Sequence, residues 1–303
     1  MDSLFIAIFI LALISILLTS IICIYSFCSH NKKSSSFPFV VNLCIMATLH
    51  TSSYIINWID KDSKTLLFSK YVCSVQSVIL LWSSMTQEMW ITAIVIFSFI
   101  NFNKAKSNQP LLHLSTLSTC LTIAICNSIP LITVIIYNVI GVMGESTFYC
   151  WVALEHEIYA IIVYSYKWVH MFIDATLAFI ICHSIFHIRF SNQDDKNSMI
   201  YYGIKLMIYP LLQIINAVLF SISRVGQWTD KKWPAISVIS LLFGAAQGII
   251  FPLIFGISSR IFVCSKDRAV ESKYLLLSNN NRLSGIEFEE SNTSISINNS
   301  TCE

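Results

Sequence analysis

Charged residues are scarce in this 303-residue chain, at 12% of the sequence against about a quarter in an ordinary soluble domain. Hydrophobic residues make up 55% of the sequence, and the mean hydropathy is +0.67. This balance excludes a typical soluble globular protein. The formal net charge is only +2, and no run of Lys or Arg is long enough to bind phosphates. We therefore expect no nucleic acid among the partners.

Patterns that support catalysis or metal binding are also missing. The seven histidines show no metal-ligand spacing with acidic residues. His183 and His187 share one helical face, but no carboxylate accompanies them. We therefore expect no enzymatic activity, no metal and no cofactor.

The chain contains instead seven apolar segments, each long enough to cross hydrocarbon, which takes about 20 helical residues. The first segment follows the acidic Asp2, has a long apolar core and lacks a small-residue cleavage site, which favours a retained span over a signal peptide. The connections are short, and the one before the sixth segment is Arg189–Ile200. The predicted spans are Leu4–Phe27, Phe37–Ile59, Tyr71–Ile100, Leu112–Ile140, Ile158–Ile188, Tyr201–Ser223 and Trp233–Ser258.

Residues 1–258 are thus predicted to form a seven-helix transmembrane bundle, followed by a tail at 259–303. The tail is rich in Asn, Ser and Glu, which predicts that most of it is disordered. Basic residues weakly favour an outside amino terminus and an inside carboxyl terminus. Nine lie in the connections and proximal tail that would then be cytoplasmic, and six in the others. The nine are Lys32, Lys33, Lys104, Lys106, Arg189, Lys196, Arg260, Lys266 and Arg268.

Cysteine placement supports the same orientation. Eight of the ten cysteines fall inside spans or on the predicted cytoplasmic side. Only Cys73 and Cys150 lie at the other face, where an oxidising compartment favours disulfides. We therefore predict one disulfide between them. Two unpaired buried thiols remain the alternative.

Several motifs resemble one branch of the G-protein-coupled receptors: the slime-mould cyclic-AMP receptors with their fungal glucose-sensing and plant receptor-like relatives. The resemblance covers roughly residues 4–260 and implies a multi-pass plasma-membrane receptor. Such a receptor senses an extracellular small molecule and activates a heterotrimeric G protein. The motifs are Tyr71-Val72-Cys73 followed by Trp82 and Trp90, Tyr149-Cys150-Trp151-Val152, and Lys205-Leu206-x-x-Tyr209-Pro210 ending at Ser223-Arg224.

Departures from receptor patterns narrow the resemblance. Ser223 stands where relatives often have Asn. Span 3 ends in Phe97–Asn101 without Asp-Arg-Tyr, and span 7 has Phe251–Phe255 in place of Asn-Pro-x-x-Tyr. These absences exclude the large rhodopsin-like class.

Polar residues cluster near one depth of six spans, where ionisable groups are costly and normally face the bundle interior. We interpret them as a hydrogen-bonded core or the floor of a ligand cavity. The candidates for a switch or polar core are His50, Glu88, Gln213, Asn216 and Gln247, and Asn127, His170 and Asp174 lie at the same depth.

Span 5 carries Lys167, His170 and Asp174 at positions i, i+3 and i+7, which share one helical face. They are candidate contacts for a polar or anionic ligand, and a purely structural network is the alternative. Trp151, Arg224 and Trp228 are further ligand candidates at the outer rim. The alternative for the tryptophans is an aromatic belt at the membrane interface.

The predicted inner face carries basic residues at the ends of spans 5, 6 and 7. Arg189, Lys205 and Arg260 are candidates to face a G protein, although contact with lipid headgroups would explain them equally well. Pro210 removes a backbone hydrogen bond and predicts a bend in span 6. Cys28 and Cys264 are candidate palmitoylation sites.

Two other classes of membrane protein were weighed. A retinal protein needs a Lys in span 7, and Trp233–Ser258 contains none. A small multi-pass transporter remains the alternative, because transporters also place polar sites at the midplane. It would favour repeats and broken helices, and the spans show only Pro130, Pro210 and Pro252.

Overall fold

The computed structural model describes residues 2–28, 37–60, 66–107, 112, 114–145, 149–153, 155–187, 193–228 and 234–258. These residues form seven helices and one two-stranded antiparallel sheet. The predicted tail, 259–303, lies outside the described residues. The elements are α1 (Asp2–Cys28), α2 (Phe37–Asp60), α3 (Leu66–Lys106), α4 (Thr116–Val139), β1 (Met143–Glu145), β2 (Cys150–Val152), α5 (Glu157–His187), α6 (Gln193–Trp228) and α7 (Pro234–Ser258).

All seven predicted helices are confirmed, and each is long and apolar enough to cross a membrane. Large apolar side chains cover the outside of the bundle, such as Leu17, Leu117 and Phe172, each more than half exposed. Soluble monomers rarely expose such continuous apolar surface. The chain therefore has the build of a multi-pass membrane protein.

The helices extend beyond the apolar segments that predicted them. The predicted connection Arg189–Ile200 is wrong from residue 193 onward, because α6 already begins at Gln193. Similarly, α3 begins at Leu66 and ends at Lys106, a length of 41 residues. Hydropathy locates the part of a helix that suits hydrocarbon, whereas backbone hydrogen bonding can continue through polar sequence in water.

Helix α3 lies at the centre of the arrangement. It contacts α2, α4, α5, α6 and both strands, while α1, α2 and α7 pack against one another and α6 bridges α5 and α7. The core divides into two apolar clusters, one around Trp90 and Phe251, the other around Leu81 and Val152. Polar residues of α3 therefore meet side chains from most of the bundle.

A short hairpin follows α4, where the sequence predicted only a connection. Strand β1 pairs antiparallel with β2, so that Gly144 faces Trp151. Gly141, just before β1, has φ 75°, a conformation that favours glycine. Strands of three residues are too short to give a recognisable periodic pattern, which is why the sequence did not reveal them.

The hairpin is joined to the start of α3. The sulfur atoms of Cys73 and Cys150 lie at disulfide distance, with their Cα atoms 5.1 Å apart. This agrees with the predicted pairing. We refer to this end of the bundle as the disulfide end and to the other as the opposite end.

The helices α1, α2 and α7 meet at Gly248. A Cβ atom added there would fall within 3.0 Å of Ser15, so only glycine permits this approach. The carbonyl of Gly248 would normally accept a hydrogen bond from residue 252, but Pro252 has no N–H. The hydroxyl of Ser15 donates to that carbonyl instead, at 2.7 Å. A side chain of α1 thus replaces a missing backbone bond of α7.

Candidate functional site

A small cavity lies beneath the hairpin at the disulfide end. Its volume, counted as positions open to a water centre, is about 20 Å³, room for about one water molecule. A small-molecule ligand therefore requires the lining side chains to move apart. The lining residues are His50, Tyr54, Leu80, Ser84, Tyr149, Trp151, Tyr164, Lys167 and Phe220.

Lys167 supplies the positive charge of the cavity. Its side chain is only 7% exposed, and Nζ donates to Ser84 Oγ at 2.6 Å. The same nitrogen lies 5.8 Å from the centroid of the Phe220 ring. No carboxylate of the described residues lies within 4.0 Å of it. An ammonium group has three donors, so Lys167 retains donors for a ligand that enters the cavity.

His50 forms part of the cavity wall. Its Nε2 lies 3.2 Å from the hydroxyl of Tyr54, and its Nδ1 lies 3.5 Å from Ser83 Oγ. The imidazole is thus held between α2 and α3. The structure places this predicted core residue beside the ligand candidates rather than below them.

The hairpin forms the roof of the cavity through Tyr149 and Trp151. The ring of Trp151 meets Tyr164 edge to face, with centroids 5.5 Å apart. Burial raises the pKa of Tyr149 to about 12, although the positive charge of Arg224 opposes the shift. Tyr149 therefore keeps its hydroxyl hydrogen at neutral pH and can donate it.

Arg224 holds this roof in place and does not line the cavity as the sequence suggested. Its Nη2 donates to the carbonyls of Val152 at 2.9 Å and Ala153 at 3.4 Å. Its guanidinium carbon lies 5.4 Å from the ring of Trp151, within cation–π range. The arginine points at backbone oxygens because a buried guanidinium needs acceptors, and the hairpin supplies them.

Gln76 is a second anchor of the roof, and sequence reasoning missed it. Its Oε1 accepts a hydrogen bond from the backbone N–H of Cys150 at 2.9 Å. Its Nε2 donates to the carbonyl of Ser53 at 3.1 Å. One buried amide thus joins α2, α3 and β2. Its position one helical turn after Cys73 was the only available signal.

A line of polar contacts continues from the cavity into the bundle between α3 and α5. We call it the polar seam, and its members are Ser84, Glu88, Thr92, Lys167, His170 and Asp174. The three residues of α3 recur every four positions and so lie on one helical face. Lys167 contacts Ser84 at the upper end of the seam, and Asp174 contacts Thr92 at the lower end.

The lower end of the seam is organised by one hydroxyl. Thr92 Oγ1 donates to Asp174 Oδ2 at 3.1 Å and lies 2.8 Å from His170 Nδ1. Because a hydroxyl has only one hydrogen, the second contact requires that Nδ1 of His170 donates. His170 and Asp174 therefore bond to α3 and do not line the cavity, contrary to their prediction as ligand contacts.

Glu88 links the seam to α6. Gln213 Nε2 donates to Glu88 Oε2, and both side chains are buried. Glu88 also lies close enough to Lys167 for their charges to attract. The middle of α6 is thereby tied to the centre of α3.

The predicted ring of polar residues at one depth is not continuous. Asn127 Nδ2 donates to the carbonyl of Ile123 in its own helix at 2.7 Å. Asn216 is buried, and its Oδ1 has no hydrogen-bond partner among the described residues. Gln247 is buried on α7. Depth along a helix does not fix the direction in which a side chain points, so equal depth did not bring these groups together.

Several predicted site residues fall outside the described structure. Arg189, Arg260 and Cys264 lie outside the described residues, and Lys205, Cys28 and Trp228 lie on described helices whose side chains there are not described. No protein-family model matches the sequence, and no curated protein matches it.

Proposed function

We propose that the chain is a G-protein-coupled receptor of the cyclic-AMP-receptor-like branch. Its amino terminus lies outside the plasma membrane, and it senses an extracellular small molecule. It activates a heterotrimeric G protein through movement of the inner ends of α5 and α6. The observation that carries this proposal is the cavity at the disulfide end, into which Lys167 brings a buried charge with donors to spare.

The chemistry of the cavity favours a polar or anionic ligand. Lys167 attracts negative charge, and the hydroxyls of Tyr54 and Tyr149 are further donors in the same wall and roof. Aromatic rings supply most of the remaining surface, as is usual for small-molecule pockets. Because disulfides persist in the oxidising compartment, the cavity would open to the outside.

The contacts of the cavity with α6 support a route from ligand to G protein. Phe220 of α6 lines the cavity, and Arg224 connects α6 to the roof. Gln213 ties the middle of the helix to Glu88. A ligand that displaces the roof or Phe220 would therefore disturb α6, whose Pro210 provides a bend towards the opposite end.

The test is ligand-dependent G-protein activation in a heterologous cell, screened with cyclic nucleotides and sugars. With an active compound, Lys167→Ala should shift the dose–response curve by about ten- to a hundredfold, the value of a charge-assisted hydrogen bond. Lys70→Ala removes an exposed lysine at the same end and should leave the curve unchanged. Equal surface abundance is required of both variants.

The polar seam also suits a transporter, because its buried acids lie near mid-depth. Uptake of a screened compound by cells that lack heterotrimeric G proteins would establish transport and replace the receptor proposal. An unaltered dose–response curve for Lys167→Ala would remove the cavity from the ligand site.

A further inference from the structure

The polar seam contains more acidic than basic groups. Its one permanently basic side chain is Lys167, whereas Glu88 and Asp174 are both carboxylic acids. All three are buried, and Asp174 has no exposed surface. They lie within the segments Lys70–Lys104 and Glu157–Ile185, which are apolar enough to span a membrane. Any net charge in this region is therefore costly.

The two acids differ in what stabilises a negative charge on them. Glu88 accepts a hydrogen bond from the amide of Gln213 and is attracted by Lys167. Asp174 receives only the hydroxyl hydrogen of Thr92, on Oδ2. Its other oxygen, Oδ1, is buried and has no hydrogen-bond partner among the described residues. The ionised form is thus better supported at Glu88.

Nothing nearby supplies a second positive charge for Asp174. Glu88 lies close enough to repel a charge on Asp174, and His170 presents a hydrogen on Nδ1 to Thr92, as a neutral imidazole can. On the packed face of α6, residues 208–226 contain only Tyr209 and Arg224 as titratable groups, and α7 contains none. On β2, Cys150 is in the disulfide. Arg224 is engaged with the hairpin.

We propose that the polar seam is a proton-binding site, in which Oδ1 of Asp174 holds one proton while Glu88 stays ionised opposite Lys167. The step is simple protonation of a carboxylate by a proton from water, and no bond within the chain breaks. It leaves the seam neutral, with one ammonium, one carboxylate and one carboxylic acid. The inference does not depend on receptor function.

The charge balance makes a second, sharper statement. If Glu88 is ionised because Lys167 is charged, removal of that ammonium should draw a proton to Glu88. Lys167→Met keeps much of the length of the side chain but not its charge. That variant should therefore bind two protons where the wild type binds one.

Infrared spectroscopy tests this directly, because a protonated carboxylic acid has its own C=O stretching band, which shifts in heavy water. The full chain is measured at neutral pH in a detergent without ester groups. The wild type should show one such band, Asp174→Asn none, and Lys167→Met a second one. Glu155→Gln removes a carboxyl that is 81% exposed and should change nothing.

Three results would overturn the proposal: no band in the wild type, a band that survives Asp174→Asn, or no second band in Lys167→Met. Should Asp174→Asn fail to fold, Thr92→Val is measured in its place. Loss of the Thr92 hydroxyl must then shift the frequency of the wild-type band, and an unshifted band assigns the proton elsewhere and refutes the site.

Discussion

Arg224 shows at the scale of one residue how a charged side chain serves a site without touching its contents. Its guanidinium lies against Trp151 and donates to two carbonyls of the hairpin. A lysine would keep the charge but lose the planar fork that reaches both oxygens and stacks on the ring. The identity of the residue, beyond its charge, therefore matters for the roof of the cavity.

The variant Arg224→Lys should loosen the hairpin. Loss of about 1 kcal/mol corresponds to roughly fivefold faster amide hydrogen exchange in β1 and β2, which mass spectrometry measures on the peptide. Ser74→Ala removes an exposed hydroxyl that bonds Asn138 at the same end and should not alter the exchange. Equal exchange in Arg224→Lys and wild type would show that the disulfide alone holds the hairpin.

Gly248 is the second decisive residue, because three helices meet where its side chain would be. Gly248→Ala should destabilise the fold by about 1–3 kcal/mol, the usual cost of overpacking, and lower the melting temperature in detergent. At Gly244 an added Cβ would meet the Phe220 ring at 3.2 Å, so Gly244→Ala should cost less. An equal or reversed order would contradict the close approach at Gly248.

At the scale of the element, α7 depends on α1 for a hydrogen bond. Ser15→Ala should cost about 1–3 kcal/mol because it leaves the buried carbonyl of Gly248 without a donor. Pro252→Ala restores an N–H within α7, so the same Ser15→Ala change should cost clearly less in that background. A double-mutant cycle of unfolding free energies in detergent measures the coupling.

Thr51 provides the control for this cycle. Its hydroxyl donates to the carbonyl of Ala245 at 2.8 Å, which does not depend on residue 252 for its helical partner. Thr51→Ala should therefore cost the same with Pro252 or Ala at that position. A coupling for Thr51 as large as that for Ser15 would indicate a general rearrangement of α7.

The hairpin is an element whose position depends on a covalent bond. The disulfide joins residues 77 positions apart, which corresponds to about 4 kcal/mol in the chain-entropy account. Cys150→Ser should therefore reduce surface expression strongly, as measured by labelling intact cells. Cys120→Ser changes an exposed free thiol and should not. Free thiols at both Cys73 and Cys150 in unreduced surface protein would refute the pairing.

At the scale of the whole molecule, the two ends of the bundle have separate roles in the proposed receptor. Lys205→Glu, on the part of α6 towards the opposite end, should abolish G-protein activation by reversing charge where the G protein docks. Ligand binding and surface abundance should remain nearly intact. Lys70→Glu makes the same charge change at the disulfide end and should preserve activation. Normal activation by Lys205→Glu would remove this residue from the G-protein surface.

The sequence by itself determined the number of helices, their apolar segments and the pairing of Cys73 with Cys150. Hydrocarbon thickness sets a minimum length for an apolar helix, and this requirement is visible in a linear sequence. The spacing of Lys167, His170 and Asp174 likewise assigned them to one face of α5. These properties depend on residues that are close together in the chain or on a simple count.

Only the tertiary structure decided which polar groups meet. Thr92 and Gln76 carry no distinctive sequence signal, yet each joins two or more elements. Arg224 was predicted to contact ligand and instead binds the backbone of a hairpin that hydropathy could not reveal. Hydropathy gives the depth of a residue in the bundle, whereas its partners depend on how each helix is rotated and which helix packs beside it, and these are set by packing of the whole chain.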